Sequence, residues 1–302
     1  MPTTAARSSR RFNRRERIWG LAFVTPITLQ VILFSLIPVG IAVFAGFTDW
    51  NSIRNTRDFV GLDNFVEFLG DKYFWIAAGN TLYMLIPIPF YLLFGILFAL
   101  GSHRRTPGST LFRILFLLPY VSSVVALVVL WKWIFNYQYG LVNQALGAIG
   151  IQGPDWLGDP AWIKPTIVIM IIWKMIGITS IYMLAALKNI PDVYYEAARL
   201  DGASPVRMFF QITLPLLTPS IFFLTVVGMI GSLQTFVEVQ LFTSDGGREY
   251  SAATITYYIW QKAFGSGQLG LASAAAFFFA LIVLVLTLVQ FRLSRRWVYE
   301  GD

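Results

Sequence analysis

Lys174 stands in the run IIWKMIGITS, the one charge between Lys164 and Lys188. A cation in so apolar a stretch is costly in lipid, so it faces a bundle interior or a polar cavity and marks a solute pathway by default. Two readings stand for it: a contact to a polar solute, or a structural pair with a carboxylate such as Glu238. Trp173 beside it offers an indole face to a flat solute, or packs against its neighbours. Little else in the sequence can do chemistry. There is no cysteine, which excludes disulfides and thiolate metal sites. The single histidine, His103, lies beside Arg104 and Arg105 in a short polar loop. It lacks the partners that a metal or catalytic histidine needs and reads as solvated. No clustered nucleophile or acid–base pair points to an enzyme.

The elements that must position Lys174 follow from composition. The 302 residues are 56% hydrophobic and 13% charged, with mean hydropathy +0.64. Soluble domains carry about a quarter charged residues, so the first class to test is a membrane protein. A spanning helix needs about 20 mostly apolar residues. Six segments qualify, near 21–47, 77–101, 112–135, 165–187, 214–237 and 271–291. Backbone in lipid must satisfy its own hydrogen bonds, and runs this long and continuous are helices rather than barrel strands. The expected fold is therefore an all-α membrane protein with six transmembrane helices.

Orientation follows from the basic residues. Arg7, Arg10, Arg11, Arg14, Arg15 and Arg17 precede the first apolar run, the flank expected on the cytoplasmic side. That run is too long for a cleaved signal peptide and has no small-residue cleavage pattern. With both termini inside, the inner segments hold 15 Lys/Arg against seven outside. This N-in/C-in bias sets the net charge of +7 against a membrane rather than a nucleic acid. Trp131, Trp133, Trp156 and Trp162 suit an interfacial belt. The chain divides into a basic tail (1–17), the first span with its external loop (18–76), a core (77–293) containing a cytoplasmic loop at 191–213, and a second tail (294–302).

That cytoplasmic loop is the least lipid-like part, YYEAARLDGASPVRMFFQITLPLLTP at 194–219. Pro191 ends the fourth span, and Asp192 is expected to cap a short helix. Val193, Ala197 and Leu200 fall on one face of it. Gly202 supplies a left-handed turn, and Ser204 followed by Pro205 starts a second helix. Pro215 and Pro219 are expected to bend the entry into the fifth span. An amphipathic connector lying at the headgroups is the plain reading. The other is a protein-docking knob: Ala197, Ala198, Gly202 and Ala203 allow close approach, while Glu196, Arg199 and Asp201 fix register. A DNA-reading helix-turn-helix is excluded by membrane spans at both ends.

Glu196-Ala197-Ala198, three residues, Gly202, nine residues, then Ile212-x-Leu214-Pro215 resembles the EAA motif of binding-protein-dependent ABC importer permeases in residue type and spacing. The resemblance covers nearly the whole chain. FVGLDNFVEFL, LFRILFLLPYV, WKWIFNYQYGLVNQAL and SLQTFVEVQLFTSDGG look like the carbohydrate-uptake (maltose-type) branch, in its first permease subunit. The family's usual TGGGP is altered to Thr243-Ser244-Asp245-Gly246-Gly247-Arg248. The resemblance implies a type I importer (MetI-like) fold in a bacterial or archaeal cell membrane. It implies a second homologous permease subunit, a cytoplasmic ATPase dimer, an external sugar-binding protein and a sugar substrate. The ATPase would grip Tyr195, Glu196, Ala197, Ala198, Asp201, Gly202, Ala203, Leu214 and Pro215. ATP and Mg would be bound by that partner, in agreement with the lack of a GxxxxGK[ST] loop in this sequence, and no cofactor is expected in this chain. Ser232, Gln234, Thr235 and Phe236 align with the segment lining the sugar pocket of maltose-type permeases. With Trp173, Lys174 and Glu238 they form the expected substrate pathway, although Gln and Thr also join helices in membranes. A self-contained secondary transporter is the competing class; it would show repeated halves and broken midplane helices.

Overall fold

A computed structural model describes residues 14–103 and 109–299. The side chains of the tail arginines and of His103, Arg104 and Arg105 lie outside the described residues. Five helices are long and apolar enough to cross a membrane: Ile18–Ala45, Lys72–Ser102, Ile163–Lys188, Pro205–Leu233 and Leu269–Ser294. The third expected span is instead a bent pair, Ile114–Val121 and Val124–Ile134, meeting at 105°. Counted as one broken span, it completes six. Pro119 cannot donate a backbone hydrogen bond, and the Ser122 hydroxyl bonds the Leu118 carbonyl. Ser123 then leaves the helical region (ψ 131) and ends the run.

The fourth span is the axis of the bundle, and small residues let its neighbours approach. Gly95 of the second span packs on Thr179, and Gly177 packs on the carbonyl of Phe116. A Cβ at either position would overlap its neighbour, the close helix approach that small residues permit in membranes. Met84, Tyr91, Ile167, Met170 and Met183 fill the resulting core. The first span differs. Its side chains stay exposed over nearly its whole length, Phe23 and Phe34 among them. It joins the bundle at its last turn, where Gly46 lies against the backbone of Ala274. An all-round apolar helix with so little protein contact has lipid or another chain as its surroundings.

The outer face holds an element absent from an all-helical reading. Thr48–Asn51 and Thr56–Phe59 form an antiparallel hairpin. The Asn51 side chain accepts from the amides of Ile53 and Arg54 to shape its turn. Trp131 is not part of an interfacial belt. It is buried and stacks on Phe135 at 5.3 Å, whereas Trp133 and Trp162 are exposed. The altered segment at 243–248 keeps Gly246 and Gly247 at φ +84, where a side chain would be strained. Asn80 donates to the carbonyls of Tyr250 and Ala253 and accepts from Lys164, which ties that loop to the second and fourth spans.

At the opposite end Asp192–Leu200 forms the short helix. Its N-cap is Pro191, in extended geometry, rather than Asp192, which occupies the first helical turn. Proline's fixed φ suits that boundary, and the acid one residue on still favours the positive helix end. Gly202 adopts φ +74, and the Ala203 amide reaches back to the Ala198 carbonyl, a Schellman closure. Ser204 then accepts from the Arg207 amide. From Pro205 the chain runs as one helix to Leu233. Pro215 therefore does not break the entry, because a π-helical turn at Phe209–Thr213 precedes it. The wider turn absorbs the hydrogen bond that proline cannot make and the clash of its ring.

Candidate functional site

Two regions hold the candidate residues, at opposite ends of the helix Pro205–Leu233. The first is the cytoplasmic knob. Val193, Glu196, Ala197 and Leu200 line its outer face and are exposed; Leu200 is 90% exposed. Tyr195 and Ala198 turn inward, and the Tyr195 hydroxyl shares a 2.9 Å hydrogen bond with Thr213 Oγ1. Asp201 and Gly202 are exposed, Ala203 is half-buried, and Leu214 and Pro215 are half-buried in the helix that follows. Among the described residues the ion pairs are Lys174–Glu238 and Lys262–Asp71, so Glu196, Arg199 and Asp201 are left unpaired. The knob thus presents an apolar strip of Val193, Ala197 and Leu200 edged by unneutralised charges.

The second region is a cavity of about 400 Å³ lined in part by Lys174, Ser232, Gln234, Thr235 and Glu238. The helix stops at Leu233 and restarts at Val237, so backbone at 234–236 is irregular beside the cavity. Its Thr235 carbonyl is satisfied by side chains, accepting from Thr254 Oγ1 and Thr256 Oγ1. Irregular backbone at membrane depth is tolerated where it lines a cavity or is buried in protein. Lys174 Nζ lies 2.8 Å from Glu238 Oε1, with both side chains 14% exposed. The pair spans 64 residues of sequence and joins the fourth span to the short helix Val237–Phe242 that follows the break.

Trp173 and Phe236 do not line the cavity. Consecutive helical residues point about 100° apart, so Trp173 turns away from Lys174 and meets Trp131 at 5.5 Å. Phe236 sits where the helix breaks and joins an aromatic cluster with Trp260 (5.6 Å) and Tyr257 (6.4 Å). The cavity instead takes its rings from Tyr91 and Tyr120, neither evident as a site residue from sequence. A lone phenol inside the apolar run PIPFYLLFGI was the one available signal.

Outside the membrane, Asp71 accepts from the Tyr73 amide and the Tyr258 hydroxyl and pairs with Lys262 at 3.1 Å. Burial pushes its carboxyl up, but these hydrogen bonds and the ammonium outweigh it and hold the pKa below the ordinary value. Among the described residues no cluster of His, Asp or Glu could hold a metal ion.

Residues 91–299 match the family described as binding-protein-dependent transport system inner membrane component. The chain is 35% identical to the probable ABC transporter permease protein YesP of Bacillus subtilis (strain 168), over 95% of its own length and 93% of that protein. It is also 35% identical to the lactose transport system permease protein LacF of Rhizobium radiobacter, covering 98% of this chain and 99% of that one. In structure it resembles a chain of the bacterial alginate ABC transporter in complex with an alginate pentasaccharide-bound periplasmic protein. That match has a TM-score of 0.83 and 28% identity, over 95% of this chain and 98% of that chain.

Proposed function

The chain belongs to the family of binding-protein-dependent transport system inner membrane components, and from that premise we propose that it carries the motion of a partner ATPase to a sugar cavity along one continuous helix. It is a permease subunit of a sugar importer of the inner membrane. The observation that carries the mechanism is the 29-residue helix Pro205–Leu233. It begins in the knob and ends with Ser232 on the cavity wall. At 1.5 Å per residue it spans roughly 43 Å, the depth of a bilayer with its headgroups.

In this account a cytoplasmic ATPase dimer holds the knob through the Val193, Ala197 and Leu200 strip, with Glu196 and Asp201 fixing register. ATP and Mg bind to that dimer. A second homologous permease supplies the other wall of the pathway, and an external sugar-binding protein delivers the solute. Closure of the ATPase favours one of two permease states, and the helix shifts the cavity between inward and outward access. Tyr195, hydrogen-bonded to Thr213, ties the short helix to the long one so that they move together. Lys174, Ser232, Gln234, Thr235 and Glu238 contact the solute; Trp173 and Phe236 support the wall from behind.

The test is reconstitution of the importer with Glu196→Lys in this chain. Reversing an exposed charge leaves folding intact but opposes docking, so ATPase copurification and uptake both fall by about ten-fold or more. Full copurification with wild-type transport contradicts the account. Gradient-driven uptake by this chain alone, without ATP, would favour the secondary transporter.

A further inference from the structure

Tyr91 lines the cavity and is 2% exposed, yet its hydroxyl has no hydrogen-bond partner among the described residues. Gly228, on the fifth span, makes room for it: a Cβ there would overlap the hydroxyl oxygen. A buried hydroxyl without a partner is costly, and replacing it by an apolar group of the same shape is nearly neutral or stabilising. The oxygen itself is closed off within the wall, so a solute bonds it only where the wall beside Gly228 opens.

The charges around the same space narrow the chemistry. Lys174 and Glu238 are the charged residues lining the cavity, and they neutralise each other at 2.8 Å. A carboxylate or phosphate entering would have to take Lys174 from Glu238, leaving two anions in one poorly hydrated space. A polyol has no such requirement. Its hydroxyls both donate and accept, and they find the remaining Lys174 donors, the second Glu238 oxygen, the Gln234 amide and the Tyr91 hydroxyl. Family membership does not decide the point, since one relative is a lactose permease and the structural neighbours import alginate, an acidic polysaccharide.

We propose that this chain's wall of the pathway takes an uncharged saccharide, with Tyr91 bonding one sugar hydroxyl and the Lys174–Glu238 pair acting as a neutral donor–acceptor couple. The inference rests on the reading that this cavity lies on the translocation pathway.

The experiment uses the complete purified importer without its external binding protein, so that the receptor's own selectivity does not enter. Binding of lactose, cellobiose and diacetylchitobiose is compared with that of dimannuronate, a disaccharide bearing two carboxylates, by saturation-transfer NMR. At least one neutral probe is expected to bind and dimannuronate to bind about ten-fold more weakly or not at all. Tyr91→Phe is expected to weaken the neutral probe about ten-fold, the loss of one hydrogen bond, while the melting temperature stays level or rises. Glu238→Gln, which frees the ammonium, is expected to reverse the preference, and Lys174→Gln/Glu238→Gln to restore it. Equal binding of dimannuronate to the wild type overturns the inference, as does binding of no neutral probe. Unchanged affinity in Tyr91→Phe overturns the assignment of Tyr91. ATP hydrolysis stimulated by the external binding protein is measured on the same samples. Its loss in the wild type would count against the importer mechanism rather than against this substrate class.

Discussion

The two ends of the helix Pro205–Leu233 treat charge in opposite ways. In the knob Glu196, Arg199 and Asp201 form no ion pair among the described residues and sit in the open. In the cavity Lys174 and Glu238 are mostly buried and closed on each other. Exposed, unpaired charges are inexpensive in water and remain free to meet a partner. A charge at membrane depth must be compensated within the fold before any solute arrives. The contrast separates a surface made to be completed by another protein from one that is already electrically complete.

That contrast breaks first where charge is buried. Lys174→Met leaves Glu238 uncompensated, and loss of one partner of a buried pair costs about 3–5 kcal/mol. The expected result is a large fall in melting temperature, mostly recovered in Lys174→Met/Glu238→Leu. No loss of stability in the single variant would show that the pair is not a fixed part of the wall. A smaller effect sharpens the other end. A Cβ at Gly202 meets open space, so Gly202→Val acts only through the backbone at φ +74, by roughly 1–2 kcal/mol. The knob should loosen while the spans keep their melting temperature. Uptake and ATPase copurification, measured together, should decline in parallel; unaltered uptake would mean that the turn need not be rigid.

Much of this was legible in the sequence, for physical reasons. Spanning helices are announced by length and hydropathy, and four of them are found within a few residues of expectation. The helix-turn-helix knob was legible because Gly202, Ser204 and Pro205 each impose a local geometry that needs no tertiary contact. What failed was direction. A helix apolar on all sides carries no periodic signal of which face looks inward, so nothing in the sequence told that Trp173 and Phe236 lie off this cavity and that Tyr91 lines it. The break at Ser122–Ser123 was hidden within a run that reads as one apolar span. The hairpin at 48–59 was too short to show a period-2 pattern. The Lys174–Glu238 contact was foreseen as one of two readings; the pair is formed, and both residues line the cavity.

The central claim concerns the knob, and the absence of native cysteine makes it directly testable. Ala197→Cys in the assembled importer, within right-side-out and inverted vesicles, can be challenged with a membrane-impermeant maleimide. The account predicts labelling from the cytoplasmic side alone, and protection when the ATPase is bound. Modification from the outer side, or equal reactivity with and without the ATPase, would contradict it.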